Sequence, residues 1–254
     1  MSALTVDDPR SKGILFDLFG TLVFFDATRL PRVRVGEVER PATITSAADL
    51  LSRLSPSPTL DELYAALRTV SLEFEEEANR TCRERPSRER FYHALSRLGS
   101  SGDLVAISEE LSARHMIGLA QAVVCPEDRR GLLRELRRRY RIALVSNFDH
   151  TATAHMILRR DGLAELFDAV VVSDEVGLRK PHRHLFELAC ERIGLETSAC
   201  LHVGDSHRAD ICGATEAGVE AVWIDESDTP AAPAVGRIAD VRQLPEWLAQ
   251  RDRG

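Results

Sequence analysis

Four short apolar runs in this chain each end on a polar residue, and this pattern limits the fold more than any other feature. Gly13-Ile14-Leu15-Phe16 runs into Asp17, and Arg141–Val145 runs into Ser146-Asn147. Ala169–Val172 runs into Ser173-Asp174, and Cys200–Val203 into Gly204-Asp205. Short apolar runs without alternation are strands buried on both faces, which belong to parallel sheets covered by crossover helices. Helical spacing fills the gaps at Glu127–Arg139, Thr151–Arg160, Pro181–Ile193 and Ala209–Ala217, and a fifth strand follows at Ala221–Ile224. The expected class is α/β, a three-layer Rossmann-like core with a parallel sheet between helices. Open parallel sheets bind ligands beyond the carboxyl ends of their strands, so the polar ends should converge.

Between the first and second of these strands the character changes. Residues 26–44 are rich in arginine and valine, carry Pro31 and Pro41, and show no assignable element. Beyond them Thr45–Leu54, Thr59–Glu84, Ser87–Leu98 and Asp103–Val124 space their leucines helically, with breaks at Pro86, Gly99 and Gly102. Thr59 followed by Glu62 is a capping box. The chain therefore divides into a core formed by residues 1–25 and 126–254 and an all-helical insertion at 26–125. Asp228–Val235, with Pro230 and Pro233, reads as a loop before a last strand and helix.

Composition narrows the function. A net charge of −7 gives no electrostatic reason to expect nucleic acid. The triplet Arg137-Arg138-Arg139 lies among leucines on an expected helix, as a solvated face does. No stretch reaches the roughly 18 apolar residues of a membrane span. Met1–Lys12 is polar and acidic, unlike a leader. The five cysteines (Cys82, Cys125, Cys190, Cys200, Cys212) are scattered without metal-type spacing, so reduced thiols and a cytoplasmic location are expected. Of 33 basic residues only Lys12 and Lys180 are lysine, which singles out Lys180 beside Pro181.

The polar strand ends and the Lys180 loop together suit phosphoryl transfer. A carboxylate attacks phosphorus only when the opposing negative charges are neutralised, a task for a divalent cation on oxygen ligands. Asp17, Asp205 and Asp210 offer carboxylates. Ser146, Asn147 and nearby amides offer hydrogen bonds to phosphoryl oxygens. Lys180 is a compact charge on a flexible stem, able to reach nucleophile and phosphate.

In order, Asp17-Leu18-Phe19-Gly20-Thr21, Ser146-Asn147, Gly177-Leu178-Arg179-Lys180-Pro181 and Gly204-Asp205-Ser206 with Asp210 resemble the four motifs of the haloacid dehalogenase superfamily. The insertion after the first motif resembles that superfamily's helical C1 cap, which closes over the site and selects the substrate. The resemblance implies Asp17 as nucleophile through an aspartyl-phosphate. It implies Ser146, Asn147 and Lys180 as phosphate-binding, with Lys180 also catalytic. It places Mg²⁺ on Asp17, the Phe19 backbone carbonyl, Asp205 and Asp210, the last directly or through water. A small phosphorylated metabolite is the implied substrate.

Phe19 is the departure. Phosphatases of the superfamily usually carry there a second aspartate, the general acid and base. Losing a general acid typically costs on the order of 10²–10⁴ in rate, least for good leaving groups. Activated phosphoesters or acyl phosphates, a proton supplied by the substrate, or an acid supplied from the insertion are therefore expected. An aromatic at this position also resembles the metal-independent 2-haloacid dehalogenases, but those lack the magnesium-side aspartate that Asp205 retains here. Phosphonate hydrolysis and a non-catalytic binding module on the same fold are the further alternatives. Of the remaining polar residues, His202 is expected as a hydrogen-bonded core histidine, Asp149 as a helix cap, and Asp174 and Glu175 as neighbours of the metal ligands.

Overall fold

The computed structural model describes residues 10–45, 47–226 and 233–253. The first nine residues, where a polar segment unlike a leader is expected, and most of the expected loop at 228–235 lie outside the described residues. The chain forms two compact units, one built from the segments up to Phe24 and from Val124 onward, the other from Phe25–Val123.

In chain order, β1 (Gly13–Phe16) is followed by a short strand, β2 (Phe24–Phe25). Next come the strands β3 (Arg32–Val35) and β4 (Val38–Pro41), then α1 (Ala48–Leu51), α2 (Leu60–Thr81), α3 (Ser87–Arg97) and α4 (Leu104–Ala122). A further short strand, β5 (Val123–Val124), precedes α5 (Asp128–Leu136), β6 (Arg141–Ser146), α6 (Thr151–Arg160), β7 (Ala169–Val172), α7 (Ser173–Val176) and α8 (Arg183–Arg192). Last come β8 (Cys200–Gly204), α9 (Gly213–Glu216), β9 (Glu220–Ile224), β10 (Gly236–Ile238) and α10 (Leu244–Arg251).

The first unit is the expected α/β core. Its six strands lie in the order β10-β9-β8-β1-β6-β7 and the registered pairs are parallel. All four residues of β1 are buried, as a strand covered on both faces requires. One face packs Leu15, Val145 and Val171 against Leu185, Phe186 and Ile211. Each such side chain contributes roughly 1.5–3 kcal/mol on burial. Strand order reverses at β1: the chain moves first to β6 and β7 on one side, then to β8, β9 and β10 on the other. Ligands of open parallel sheets sit at such a reversal.

The second unit is built around Leu63, Val70, Phe91, Leu95, Ile107 and Leu111. Its longest helix, α2, starts at the expected capping box: Glu62 N donates to Thr59 Oγ1 at 3.2 Å and Thr59 N donates to Glu62 Oε2 at 2.7 Å. One expectation is corrected here. The insertion is not all-helical, because β3 and β4 pair as an antiparallel hairpin with Val33 opposite Arg40. The stretch Arg32-Val33-Arg34-Val35 alternates with period two around a turn at Gly36, whose φ of 62° suits glycine. Four residues a side was too short to stand out. No helix of the described residues is long and apolar enough to cross a membrane.

Candidate active site

The residues at the carboxyl end of β1 are held by a tight loop. Asp17 N donates to Val203 O at 3.0 Å, tying the carboxylate-bearing residue to β8. Leu22 N and Val23 N both donate to Leu18 O, and Gly20 N donates to Val23 O, which leaves the Phe19 carbonyl out of the loop's own hydrogen bonds. Gly20 has φ 84°, and a Cβ there would lie 2.3 Å from Asp205 Oδ2. A Cβ on Gly204 would lie 2.3 Å from Asp210 Cγ. Both glycines thus leave the space in which a carboxylate sits.

Beside β8 the charged groups meet. Lys180 Nζ donates to Asp17 Oδ1 and to Asp210 Oδ1, each at 2.6 Å. Lys180 is 3% exposed, Asp17 7% and Asp210 1%, so this triad is screened from water. Asp210 also accepts from His202 Nε2 at 2.9 Å and, through Oδ2, from Ser206 N at 2.9 Å. It sits in a π-helical turn, His207–Cys212, that Ser206 caps by accepting from Ala209 N. Asp205 lies on the open side and is exposed. One oxygen from each of Asp17, Asp205 and Asp210 falls within 4.8 Å of the others.

The electrostatics follow from that crowding. Burial raises the Asp17 pKa to about 7, with Asp210 and Asp205 adding to the rise and Lys180 opposing it. Burial and Asp210 likewise raise Asp205. Burial would also raise Asp210, but Lys180 and His202 outweigh it and hold that carboxyl below its ordinary value. Burial would lower Lys180, yet Asp17 and Asp210 raise it, so it stays an ammonium. Burial lowers the His202 pKa, against the pull of Asp210. Three carboxylates against one ammonium leave a surplus of two negative charges when all are ionised. A divalent cation on oxygen ligands matches both that charge and that donor set.

The β6 side of β1 is different. Ser146 is fully buried, and its Oγ has no hydrogen-bond partner among the described residues. An unpaired buried hydroxyl is costly unless a ligand or water completes it. Asn147, expected to touch phosphate, uses its side chain otherwise. Its Oδ1 accepts from Lys180 N at 2.7 Å and its Nδ2 donates to Lys180 O at 3.0 Å. The amide fork therefore positions the lysine loop across 33 residues of sequence, leaving the main chain of Asn147 and the second hydrogen of Nδ2 for an anion. Phe148 N donates to Ser173 Oγ at 2.8 Å. The Phe148 ring packs on Phe19 with centroids 5.0 Å apart and planes tilted by 35°.

Other expected residues fall away from this centre. Asp174 accepts from Thr151 N and Oγ1, both at 2.8 Å, at the start of α6, and Glu175 pairs with Arg192 at 2.7 Å. The α6 cap is His150, which accepts from Thr153 N, and not Asp149. His202 is the buried, hydrogen-bonded histidine expected of it. Phe148 and the Asn147 clamp escaped the sequence. The one available signal for Phe148 was its position two residues past Ser146, as Phe19 stands two past Asp17.

Comparison with known proteins fits this geometry. A family model described as haloacid dehalogenase-like hydrolase matches residues 11–218. The chain is 36% identical over 95 residues to the pyrimidine 5'-nucleotidase of Escherichia coli, a match covering 37% of this chain and 42% of that protein. It is 31% identical over 163 residues to the phosphoserine phosphatase of Thermus thermophilus, covering 63% of this chain and 64% of that one. These matches span less than two thirds of either relative. A crystal structure of 2-haloacid dehalogenase from Pseudomonas syringae pv. Tomato aligns with a TM-score of 0.65 at 25% identity, over 94% of this chain and 98% of that one.

Proposed function

Because the chain belongs to the haloacid dehalogenase-like hydrolases, we propose that it is a magnesium-dependent phosphatase acting on a small phosphorylated metabolite with Asp17 as covalent nucleophile. The observation that carries this is the Asp17–Lys180–Asp210 triad at the strand-order reversal, beside an unpartnered Ser146 hydroxyl and the open Asp205 carboxylate. A carboxylate of Asp17 attacks phosphorus in line, and the bond to the leaving oxygen breaks with its electron pair staying on that oxygen. Water then attacks the phosphorus of the aspartyl-phosphate, releasing inorganic phosphate and the Asp17 carboxylate.

Lys180 holds one oxygen of Asp17 and orients the other toward substrate. Ser146 Oγ donates to a phosphoryl oxygen, which completes its missing hydrogen bond, and the Asn147 main-chain N–H supports the same group. Asp17, Asp205 and the Phe19 carbonyl would hold Mg²⁺. Asp210 would reach it through water, since its oxygens already meet Lys180, His202 and Ser206. When bound, Mg²⁺ supplies the charge neutralisation that lets an anionic carboxylate approach an anionic phosphate. Phe19 transfers no proton, so substrates whose leaving group departs as a stable anion are favoured.

The Phe19–Phe148 pair supports a second reading, displacement of halide from a 2-haloacid, which needs no acid either. Three clustered carboxylates speak against it, because without a cation they repel. The test is hydrolysis of p-nitrophenyl phosphate and acetyl phosphate with magnesium or EDTA, alongside halide release from 2-chloropropionate in EDTA. The expected result is magnesium-dependent phosphate release that falls by about 10⁴-fold or more in Asp17→Asn. Metal-independent halide release would replace the phosphatase reading with the second one. Silence in both assays would favour a binding module.

A further inference from the structure

The second unit carries a cleft of about 430 Å³ between the β3–β4 hairpin and α2. Asp61, Tyr64, Ala65 and Arg68 line it from the helix, at spacings of three, four and seven residues that place them on one face. Val33 and Arg40, which are opposite each other in the hairpin register, line it from the other side. The walls are braced at two points. Asp61 Oδ2 accepts from Gly36 N at 2.9 Å, pinning the hairpin turn to the start of α2. Tyr64 donates its hydroxyl to Ile44 O at 2.9 Å, so it offers the cleft its ring and not its hydroxyl.

Some arginines of this unit have a carboxylate, as Arg85 meets Glu77 at 2.8 Å, Arg97 meets Glu73 at 2.9 Å and Arg114 meets Asp49 at 2.7 Å, while others, such as Arg53 and Arg88, form no ion pair among the described residues. The side chains of Arg40 and Arg68 form no ion pair or hydrogen bond among the described residues. What sets Arg40 and Arg68 apart is placement: they bring two unpaired guanidinium groups to facing walls of one cleft. The one carboxylate there, Asp61, is already turned onto the hairpin amide.

We propose that this cleft binds a small organic anion, a molecule with one carboxylate or phosphate head and a flat apolar body. The planar guanidinium forks of Arg40 and Arg68 match the paired oxygens of such a head. The Tyr64 ring, Val33 and Ala65 supply the apolar surface for the body, and the volume lies within the range of small-molecule pockets. All of the residues involved belong to the second unit.

The test follows the Nε–Hε signals of the full chain, labelled with ¹⁵N-arginine, during titration with benzoate and with phenylphosphonate. Arg40→Gln and Arg68→Gln identify the two signals by their loss. Both side chains are exposed, and circular dichroism confirms that each variant is folded. The expected result is that the two signals shift together and saturate with at least one probe. The double variant should then bind that probe about ten-fold more weakly or worse by calorimetry. Preference for benzoate assigns a carboxylate head, and preference for phenylphosphonate a phosphate head. If neither signal moves with either probe, or if the double variant binds as the wild type does, the proposal is overturned. Binding of phenylphosphonate that moves other signals alone belongs to the Asp17 site and overturns it equally.

Discussion

On its β8 side, the end of β1 meets Lys180, Asp205, Asp210 and His202, packed so closely that glycine is required at 20 and 204. On its β6 side it meets Ser146, the Asn147 clamp and the Phe19–Phe148 pair, where no side chain carries charge. The difference teaches how the labour of a hydrolase can be divided. On the proposed phosphatase reading, one side gathers charge to make a nucleophile and balance a phosphoryl group. The other supplies one unpaired hydroxyl and an apolar wall, and on that reading gives the leaving group no proton. Lys180 bridges the two, with its ammonium on the charged side and its main chain held by Asn147.

The sharpest way to break this contrast is to remove its bridge. Lys180→Met leaves Asp17 and Asp210 buried without their shared cation. It should cost about 3–5 kcal/mol of stability, read by urea denaturation. The folded fraction should also lose about 10²–10³-fold in kcat on p-nitrophenyl phosphate. Unchanged stability would mean that the triad is not formed in solution.

The second experiment carries charge to the uncharged side. Phe19→Asp should raise kcat/KM for an alkyl phosphate such as β-glycerophosphate by about 10²-fold relative to acetyl phosphate, because only the former needs a proton on its leaving oxygen. Equal effects on both substrates would show that a proton reaches the leaving group by another route.

The smallest effect sharpens the account of the charged side through pH. The folded Asp17, with its pKa raised to about 7 mainly by burial, keeps a proton that the unfolded chain has already released at that pH. Its contribution to stability is therefore lost as pH rises from the unfolded value toward about 7. A cation at the carboxylates must displace this proton below pH 7. Apparent magnesium affinity, measured by calorimetry, should fall about ten-fold per pH unit between pH 7 and 5 and level off above pH 8. Magnesium should accordingly raise Tm more at pH 8 than at pH 5. A flat profile would place the cation away from Asp17.

Much of the fold was legible because it rests on local signals. The buried runs ending at Asp17, Ser146 and Gly204 state a parallel strand by themselves, and Thr59 with Glu62 states where α2 begins. The hairpin was harder, since four alternating residues a side resemble any arginine-rich loop until Asp61 is seen holding Gly36. Asp149 failed as a cap because its neighbour His150 also carries an acceptor, and the choice between them turns on side-chain direction. Asp174 and Glu175 stood near the lysine loop in sequence but turned to Thr151 and Arg192.

What the sequence by itself determined is the α/β class, the chain order of the strands with polar ends, and the carboxylates and the lysine that stand at or near those ends. Those depend on periodicity and on short spacings, which a linear chain displays directly. Only the tertiary structure decided that Asn147 grips Lys180, that Phe148 covers Phe19, that His202 and Ser206 fix Asp210, and that Ser146 keeps an unpaired hydroxyl. Each of these depends on which groups are desolvated together across the strand-order reversal, and chain separation carries no trace of that.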